Sequence, residues 1–249
     1  LRDLLAERKE YEDIPVPDSL SEKRRLLRSL MNVRPPVPVR EDFLRVQDAY
    51  LVDRLAERGM TRLKDLTPVR PGLYLWQGDI TTLKCDAIVN ACNSQMLGCF
   101  SPMHACIDNF IHTYAGIELR LKMHEIMTKQ GHEEATGQAK ITPGYNLPCN
   151  YVLHTVGPIV QGGLQRKHEE LLASCYRSCL ELAEKYEVKS IAFCCISTGV
   201  FMFPNERAAE IAVRTVKKYY EDTGSRMKVV FNVFKDEDLA IYRTLLYHQ

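Results

Sequence analysis

One stretch of the sequence has the pattern of a strand followed by a loop that leads into a helix: Ser190-Ile191-Ala192-Phe193-Cys194-Cys195-Ile196-Ser197-Thr198-Gly199-Val200-Phe201. The apolar run up to Ile196 is typical of a buried strand, and a helical pattern begins near Pro204. Successive backbone N–H groups in the loop between them can bind an anion, and the helix N-terminus adds positive potential. The stretch therefore predicts a phosphate-binding loop in an α/β fold. Such junctions are also common without a ligand, so the loop alone does not decide the function.

The same alternation of strands and helices extends over the chain from about Leu73. It predicts an α/β sandwich with a largely parallel or mixed sheet, in which ligands bind in the loops beyond the strand ends. The predicted strands are Leu73–Trp76, Ala87–Asn90, Tyr151–Val156, Ser190–Ile196 and Val229–Phe234, and the predicted helices are Asp108–Met127, Arg166–Tyr186, Asn205–Tyr220 and Glu237–Leu246.

A different pattern occupies the first 70 residues. Ser19 and Glu22 have capping-box spacing ahead of a helical apolar pattern, which ends at a proline-rich stretch from Pro35 to Pro38. A second helical pattern ends at Gly59. Two amphipathic helices cannot bury their apolar faces alone, so we expect them to dock on a larger domain. We therefore predict an N-terminal helical extension, residues 1–70, without recognisable chemistry, and a main domain, residues 71–249.

The composition excludes several classes of protein. The 249 residues carry a formal net charge of +1, whereas a general nucleic-acid binder usually has a strong basic bias. No run of about 18 apolar residues occurs, so no membrane span is predicted, and Leu1–Tyr11 is too charged for a secretory signal. The nine cysteines are odd in number and form no disulfide framework. We expect a cytoplasmic protein with reduced, mostly buried thiols.

Two short motifs place polar side chains directly after predicted strands. In Gly78-Asp79-Ile80-Thr81 the carboxylate could accept a hydrogen bond from an adenine amino group, although Asp79 could equally cap a turn. In Asn90-Ala91-Cys92-Asn93 the two amides offer donors and acceptors to sugar hydroxyls, although asparagine is also a common turn residue. Each motif alone is weak evidence for a nucleotide site.

A third motif combines the ligand types that zinc prefers. Cys99, His104 and Cys106 supply two sulfurs and an imidazole within eight residues. His104 and Cys106 would diverge on a helix, so a shared ion requires a loop here, and Pro102 favours one. Three ligands leave a fourth position for water or substrate, which is typical of a catalytic zinc site. The alternative is a buried loop with incidental thiols, since this spacing is not that of a common zinc finger.

Taken together and in this order, these segments resemble the macrodomain family. The resemblance runs from about Leu73 to the C-terminus and is more specific than any single motif, because the segments occur jointly. The Cys-x₄-His-x-Cys insertion and the N-terminal helices are similar to the zinc-dependent branch of the family. The segments that carry the resemblance are Gly78-Asp79-Ile80, Val89-Asn90-Ala91-Cys92-Asn93, Leu97-Gly98, Ile111-His112 with Ala115-Gly116, His154-Thr155-Val156-Gly157-Pro158 and Ile196-Ser197-Thr198-Gly199-Val200-Phe201.

The resemblance implies a three-layer α/β/α fold with a mixed sheet, and a role for each matched residue. Asp79 and Ile80 would hold the adenine, and Asn93 would contact the distal ribose, which is the one bonded to the modified protein. Asp108 lies where related hydrolases have a catalytic aspartate. The remaining matches are Leu97, Gly98, Ser197, Thr198, Gly199, Val200 and Phe201 around the diphosphate, and Cys99, His104 and Cys106 as zinc ligands.

The resemblance also implies an activity. Members of this branch remove mono-ADP-ribose from modified proteins, and the bond cut would be that at C1″ of the distal ribose, with one zinc ion beside it. They are often associated with a sirtuin-type ADP-ribosyltransferase and a lipoyl carrier protein. Two alternatives use the same pocket: a reader module that binds ADP-ribose without turnover, and a deacetylase of O-acetyl-ADP-ribose.

Some residues depart from the family pattern or remain ambiguous. Met202 stands where the family commonly has glycine, and a methionine at positive φ would be strained, so we expect this turn to differ slightly. Phe201 and Phe234 could border the nucleotide or belong to the core. His112 and His154 are interpreted as packing or hydrogen-bonding residues rather than catalysts.

Overall fold

Seven strands form the central sheet of the computed structural model, which describes residues 1–247 of the chain. With the two strands of a separate small sheet, residues 1–247 contain nine strands. In chain order these are β1 (Thr61–Arg62), β2 (Pro68–Arg70), β3 (Leu73–Gln77), β4 (Leu83–Lys84), β5 (Ala87–Cys92), β6 (Ala139–Pro143), β7 (Tyr151–Val156), β8 (Ser190–Phe193) and β9 (Lys228–Val233). The sheet has the order β2-β3-β9-β8-β5-β7-β6, while β1 and β4 pair separately. The edge strands β2 and β6 are antiparallel to their neighbours, and the inner pairs are parallel.

Helices cover both faces of this sheet. The helices are α1 (Arg2–Ala6), α2 (Leu20–Val33), α3 (Glu41–Arg58), α4 (Ile107–Ala115), α5 (Ile117–Gln130), α6 (Arg166–Lys185), α7 (Asn205–Thr223) and α8 (Asp236–Tyr247). Residues 87–90 of β5 are all buried, although successive side chains of a strand point to opposite faces. Both faces of the central strands are therefore packed, as a three-layer α/β/α fold with a mixed sheet requires.

Three element predictions need correction. The helix expected over Asp108–Met127 is two helices, because Gly116 between α4 and α5 adopts φ 100°, outside the helical region. The strand expected to reach Ile196 ends at Phe193. The two edge strands, β2 and β6, and the two-residue strands β1 and β4 were not predicted at all. Strand β6 contains Lys140 and ends at Pro143, so it has no continuous apolar run, and proline is tolerated because the strand lies at an edge.

The N-terminal helices dock on the main domain, as expected. Ser19 begins α2 with the predicted cap, since its Oγ accepts a hydrogen bond from the Glu22 N–H at 3.2 Å. A small apolar core joins Leu30 and Met31 of α2 to Ile117 of α5. None of the helices within residues 1–247 combines the length and the apolar character needed to cross a bilayer.

A glycine contact between α3 and α5 makes this docking testable. The Ile117 N–H donates to Gln47 Oε1 at 2.9 Å, and a Cβ on Gly116 would lie 2.7 Å from Gln47 Nε2. Gly59 adopts a similar conformation, with φ 79° and ψ 152° against φ 100° and ψ 174° at Gly116, yet a Cβ there would meet nothing within 4 Å. Both alanine variants suffer the backbone strain of this glycine-favouring region, which is about 1–3 kcal/mol. Only Gly116→Ala also displaces Gln47.

We therefore expect Gly116→Ala to lower the free energy of unfolding by about 1–2 kcal/mol more than Gly59→Ala does. Urea unfolding of both variants checks this expectation. Equal losses would mean that the Gln47 contact does not hold the N-terminal helices to α5.

Candidate functional site

Most of the predicted site residues lie in the segments that follow the strands at one edge of the sheet, and Asp108 lies in the first turn of α4. Asp79 follows β3, Asn93 follows β5 and Ser197 follows β8. These strands are parallel to their inner neighbours, so their carboxyl ends meet at the same edge. The structure thus brings together the segments that the sequence singled out separately.

Asp79 both caps a turn and pairs with an arginine of the N-terminal segment. Its Oδ1 accepts hydrogen bonds from the backbone N–H and the hydroxyl of Thr81, at 2.9 and 2.6 Å. Its Oδ2 accepts from Arg58 Nη1 at 2.8 Å, and the Arg58 guanidinium lies 3.5 Å from the centre of the Tyr114 ring. The carboxylate is thereby oriented from two sides, while more than a third of the side chain is exposed to a ligand.

An exposed aromatic ring stands beside Asp79. Phe234 directly follows β9, which pairs with β3, and 77% of its surface is exposed. Gln77 Nε2 donates to the Phe234 carbonyl at 3.1 Å and fixes this backbone. Phe234 is therefore not a core residue, and its free face suits stacking on a nucleobase.

The loop after β8 presents unpaired backbone donors. Phe203 N–H donates to the Ser197 carbonyl at 3.0 Å, which closes the loop. Within residues 1–247, the N–H groups of Gly199, Val200 and Phe201 have no protein acceptor, and the Ser197 hydroxyl is buried without a partner. Such a run of free donors ahead of α7 is suited to an anion.

Met202 in this loop contradicts the expectation that the turn avoids positive φ. It adopts φ 55°, so the turn keeps the left-handed residue and places a methionine there. The side chain is largely exposed and its N–H donates to the Gly199 carbonyl at 3.0 Å. The loop therefore carries backbone strain that a glycine would not have.

Replacing this methionine tests the strain. Met202→Gly should raise the free energy of unfolding by about 0.5–1 kcal/mol, because the relief of left-handed strain exceeds the entropy that glycine adds to the unfolded chain. Thermal or urea unfolding measures the change. A destabilised variant would show that the side chain contributes packing that outweighs the strain.

Asn93 shapes the next loop rather than standing free. Its Oδ1 accepts from the Gln95 N–H at 3.1 Å, and its Nδ2 is 3.4 Å from the Gly98 carbonyl. Gly98 has φ 83°, and a Cβ on it would lie 2.8 Å from the His112 ring. This position thus requires glycine, and Leu97-Gly98 is held against α4.

The three predicted metal ligands converge. Cys99 Sγ and His104 Nδ1 are 3.4 Å apart, and the ligand atoms of Cys99, His104 and Cys106 all lie within 4.8 Å of one another. Tetrahedral zinc bonded to sulfur and nitrogen separates these two atoms by about 3.6 Å. Cys106 also caps α4, since its Sγ accepts from the Asn109 N–H. The group could hold a metal ion, and two sulfurs with an imidazole favour zinc over a hard cation.

The protonation of the Cys106 thiol follows from its surroundings. Burial raises the pKa of Cys106 to about 12, and the nearby Cys99 and Asp108 add to the shift. A metal ion must displace this proton when it binds.

Asp108 lies beneath the metal loop and ends a line of hydrogen bonds. Its Oδ1 accepts from Asn90 Nδ2 at 2.8 Å, and the same Nδ2 is 3.2 Å from His154 Nδ1. Because an amide nitrogen only donates, His154 Nδ1 accepts, and its protonated Nε2 donates to Thr142 Oγ1 at 2.9 Å. Burial raises the pKa of Asp108 to about 6, although the Asn90 hydrogen bond and Arg120 lower it. Asn90 and His154 thus orient the carboxyl group that the sequence proposed as catalytic.

The two buried histidines are neutral. Burial lowers the pKa of His154 to about 3. Burial, Arg120 and His154 together hold the pKa of His112 well below its usual value, so its 3.5 Å approach to Asp108 is not an ion pair. His154 acts in hydrogen bonding, and His112 acts in packing against Gly98, since neither of its ring nitrogens has a partner within the described residues. Both roles agree with the sequence interpretation.

A neutral histidine in the folded state has a defined pH signature. Because the folded pKa of His154 is depressed, the unfolded state binds the extra proton, and stability falls as pH drops below about 6.5. His154 alone should lower the free energy of unfolding by about 2 kcal/mol between pH 8 and pH 5. His154→Gln removes this component, and the contributions of His112 and Asp108 are shared by both proteins. Urea unfolding at the two pH values measures the difference, and parallel pH profiles would contradict the assignment.

Comparisons with known proteins show which family the chain belongs to. The Macro domain family matches residues 89–212. A protein of Treponema medium named protein-ADP-ribose hydrolase is 57% identical over 247 residues, which cover 98% of this chain and 95% of that protein. The chain belongs to the macrodomain family.

Two further proteins, one compared by sequence and one by structure, are also similar to this chain. A protein-ADP-ribose hydrolase of Staphylococcus aureus strain MSSA476 is 51% identical over 98% of this chain and 92% of that protein. The crystal structure of a Trypanosoma brucei macrodomain in complex with ADP-ribose superposes with a TM-score of 0.68 at 30% identity, over 92% of this chain and 97% of that one. The comparison therefore confirms the macrodomain fold that the sequence indicated.

Sequence reasoning missed the residues that support this site from the N-terminal segment. These are Arg28 and Asn32 of α2 and Arg58 of α3, together with Arg120 of α5, which contacts α2. Arginines on amphipathic helices give no local signal, since they are usually solvated. Asn32 next to the apolar Leu30 and Met31 was the one polar residue that could have drawn notice.

Proposed function

We propose that the protein binds the ADP-ribose unit of a mono-ADP-ribosylated protein and hydrolyses the bond at C1″ of the distal ribose. The observation that carries the proposal is the convergence of Cys99, His104 and Cys106 between Asn93 and Asp108, at the edge of the sheet that holds the nucleotide loops. The relatives named protein-ADP-ribose hydrolase, at 51–57% identity over nearly the whole chain, support the same reaction.

The nucleotide half of the substrate would lie across three loops. Asp79 and the Ile80 backbone would receive the adenine, with Phe234 stacked on its free face. The free N–H groups of Gly199, Val200 and Phe201 would bind the diphosphate, with Ser197 and Thr198 at the start of the loop and Leu97-Gly98 opposite. The distal ribose would then reach Asn93 and the metal loop. Each contact uses a donor or an acceptor that the protein leaves available.

The reacting end would combine a metal ion with a buried carboxyl group. Cys99, His104 and Cys106 would hold one zinc ion, which supplies Lewis-acid stabilisation of developing negative charge when it is bound. Asp108 would orient or deprotonate the attacking water, since Asn90 fixes its carboxyl group directly behind Cys106. Asn93 would position the ribose. The fourth coordination position gives the substrate access, because the group has three members within the described residues.

The family resemblance makes a lipoyl carrier protein modified by a sirtuin-type transferase the first substrate to test. We also propose a cytoplasmic location, because the two thiol ligands must remain reduced to bind a metal.

Release of free ADP-ribose from a mono-ADP-ribosylated protein tests the proposal. We expect release by the purified protein to stop after chelation and to return with zinc. Cys99→Ala should lower the rate by about 100-fold, or about 2.7 kcal/mol, because an ion bound by two ligands is weakly held. Cys85→Ser is the control, since Cys85 lies at the opposite end of β5 and should stay near the wild-type rate.

Two outcomes would count against hydrolysis at this centre. Full activity of Cys99→Ala without metal would remove the metal from the reaction. Tight ADP-ribose binding without release from any substrate would indicate a reader module instead.

A further inference from the structure

Helix α2 holds the metal-ligand loop, Cys99–Cys106, from outside the main domain. Arg28 Nη2 donates to the His104 carbonyl at 3.1 Å and to Asn109 Oδ1 at 2.8 Å. Asn109 in turn donates to the Ser101 carbonyl at 2.9 Å, and its N–H bonds Cys106 Sγ. The Arg28 guanidinium thus links the backbone of His104 to Asn109, which contacts Cys106. Its Cζ atom also lies 4.4 Å from the centre of the Phe110 ring, and this contact fixes the orientation of the guanidinium.

Asn32, one helical turn further on, makes a second attachment. It is 1% exposed, and its Oδ1 accepts from the Met103 N–H at 3.2 Å. Its Nδ2 donates to Thr113 Oγ1 of α4 at 3.0 Å. Met103 precedes His104 and adopts φ 59°, a left-handed conformation that a non-glycine residue needs support to keep. Asn32 supplies that support.

The other contacts of the loop are also polar: the His104 N–H donates to the Ser101 carbonyl at 3.2 Å, and Arg120 of α5 lies over the Phe100 ring, 3.5 Å from the Cys99 carbonyl. Phe100, Ser101, Pro102 and Ala105 are exposed, so apolar burial does not order them. Ordering an exposed loop costs conformational entropy, and a metal ion that binds a loose loop must overcome that cost. Hydrogen bonds from a packed helix lower it before the ion arrives. Partners of this kind, one step removed from the ligands, commonly change metal affinity by about 10- to 100-fold.

We propose that Arg28 and Asn32 are positioning residues of the metal centre, so that the N-terminal segment sets the metal affinity of the macrodomain. The proposal rests on the metal site proposed above. Neither residue is a ligand. Both act on the backbone of the loop, at His104 and Met103, rather than on the ADP-ribose loops.

Zinc affinity of the whole chain, measured by competition with a chromophoric chelator, tests this proposal. Arg28→Met should weaken zinc binding by about 10- to 100-fold. Arg25→Met is the matched control, because Arg25 lies on the same helix and its exposed side chain makes no hydrogen bond or ion pair within residues 1–247. It should bind zinc as the wild type does. Arg28→Lys keeps the charge on a shorter side chain without the planar guanidinium and should be intermediate, while Asn32→Ala should weaken zinc binding like Arg28→Met.

Two parallel measurements separate positioning from damage to the fold. ADP-ribose affinity and the urea midpoint of the metal-free protein should change little in Arg28→Met, and cobalt bound to it should show a weaker or shifted thiolate-to-metal band. Zinc affinity equal to that of Arg25→Met would overturn the proposal, and so would equal losses of zinc and ADP-ribose binding. A wild-type chain that binds no zinc would instead overturn the metal site itself, and this proposal with it.

Discussion

The Arg120 guanidinium lies buried between the end of α2 and the loop that follows β5, and the arrangement of the site depends on it. It donates to the carbonyls of Asn32 and Arg34 at 2.8 and 2.6 Å, which are among the last acceptors of α2. It also donates to the Leu97 carbonyl at 2.7 Å, and its plane lies on the Phe100 ring. A cation at a helix C-terminus is favourable because the free carbonyls carry partial negative charge.

The Arg120 guanidinium donates both to the end of α2 and to the loop after β5. If either the helix or the loop moved alone, Arg120 would lose part of its hydrogen bonds. Burial lowers the pKa of Arg120 to about 10, although Asp108 and Cys99 raise it, so the residue keeps its charge at neutral pH. Removing a partner from such a buried charge is far more costly than removing a surface ion pair. The N-terminal segment therefore supports the edge of the sheet at which the proposed site lies. The sequence had assigned it no chemistry.

A second constraint runs through the sheet. Thr142, His154, Asn90 and Asp108 form one hydrogen-bonded line from the edge strand β6 to the first turn of α4. Such a line inside a core is stable only when its members are paired, and it fixes the tautomer of His154 and the direction of the Asp108 carboxyl group. The Asn90 amide oxygen and both nitrogens of His112 lack partners within the described residues. These three unpaired atoms belong to residues that lie beside the Asp108 carboxyl group.

Local pattern predicted much of this molecule. Short segments predicted the strands that lead into the loops of the proposed site, and the group of Cys99, His104 and Cys106 that could hold a metal ion, because strand period, turn residues and ligand type are local properties. The break at Gly116 was missed because a single glycine within a helical pattern is often tolerated. The links from Arg28, Asn32, Arg58 and Arg120 join residues 20 or more positions apart, and no periodicity reports such contacts. Phe234 remained ambiguous, since sequence does not reveal exposure.

X-ray absorption at the zinc edge, on the full chain loaded with one equivalent of zinc, tests the central claim most directly. Zinc coordination by Cys99, His104 and Cys106 predicts two sulfur neighbours at about 2.3 Å. The remaining neighbours should be nitrogen and oxygen at about 2.0–2.1 Å, including one imidazole. A shell of four sulfurs, or one without sulfur, would contradict a three-ligand centre at Cys99, His104 and Cys106.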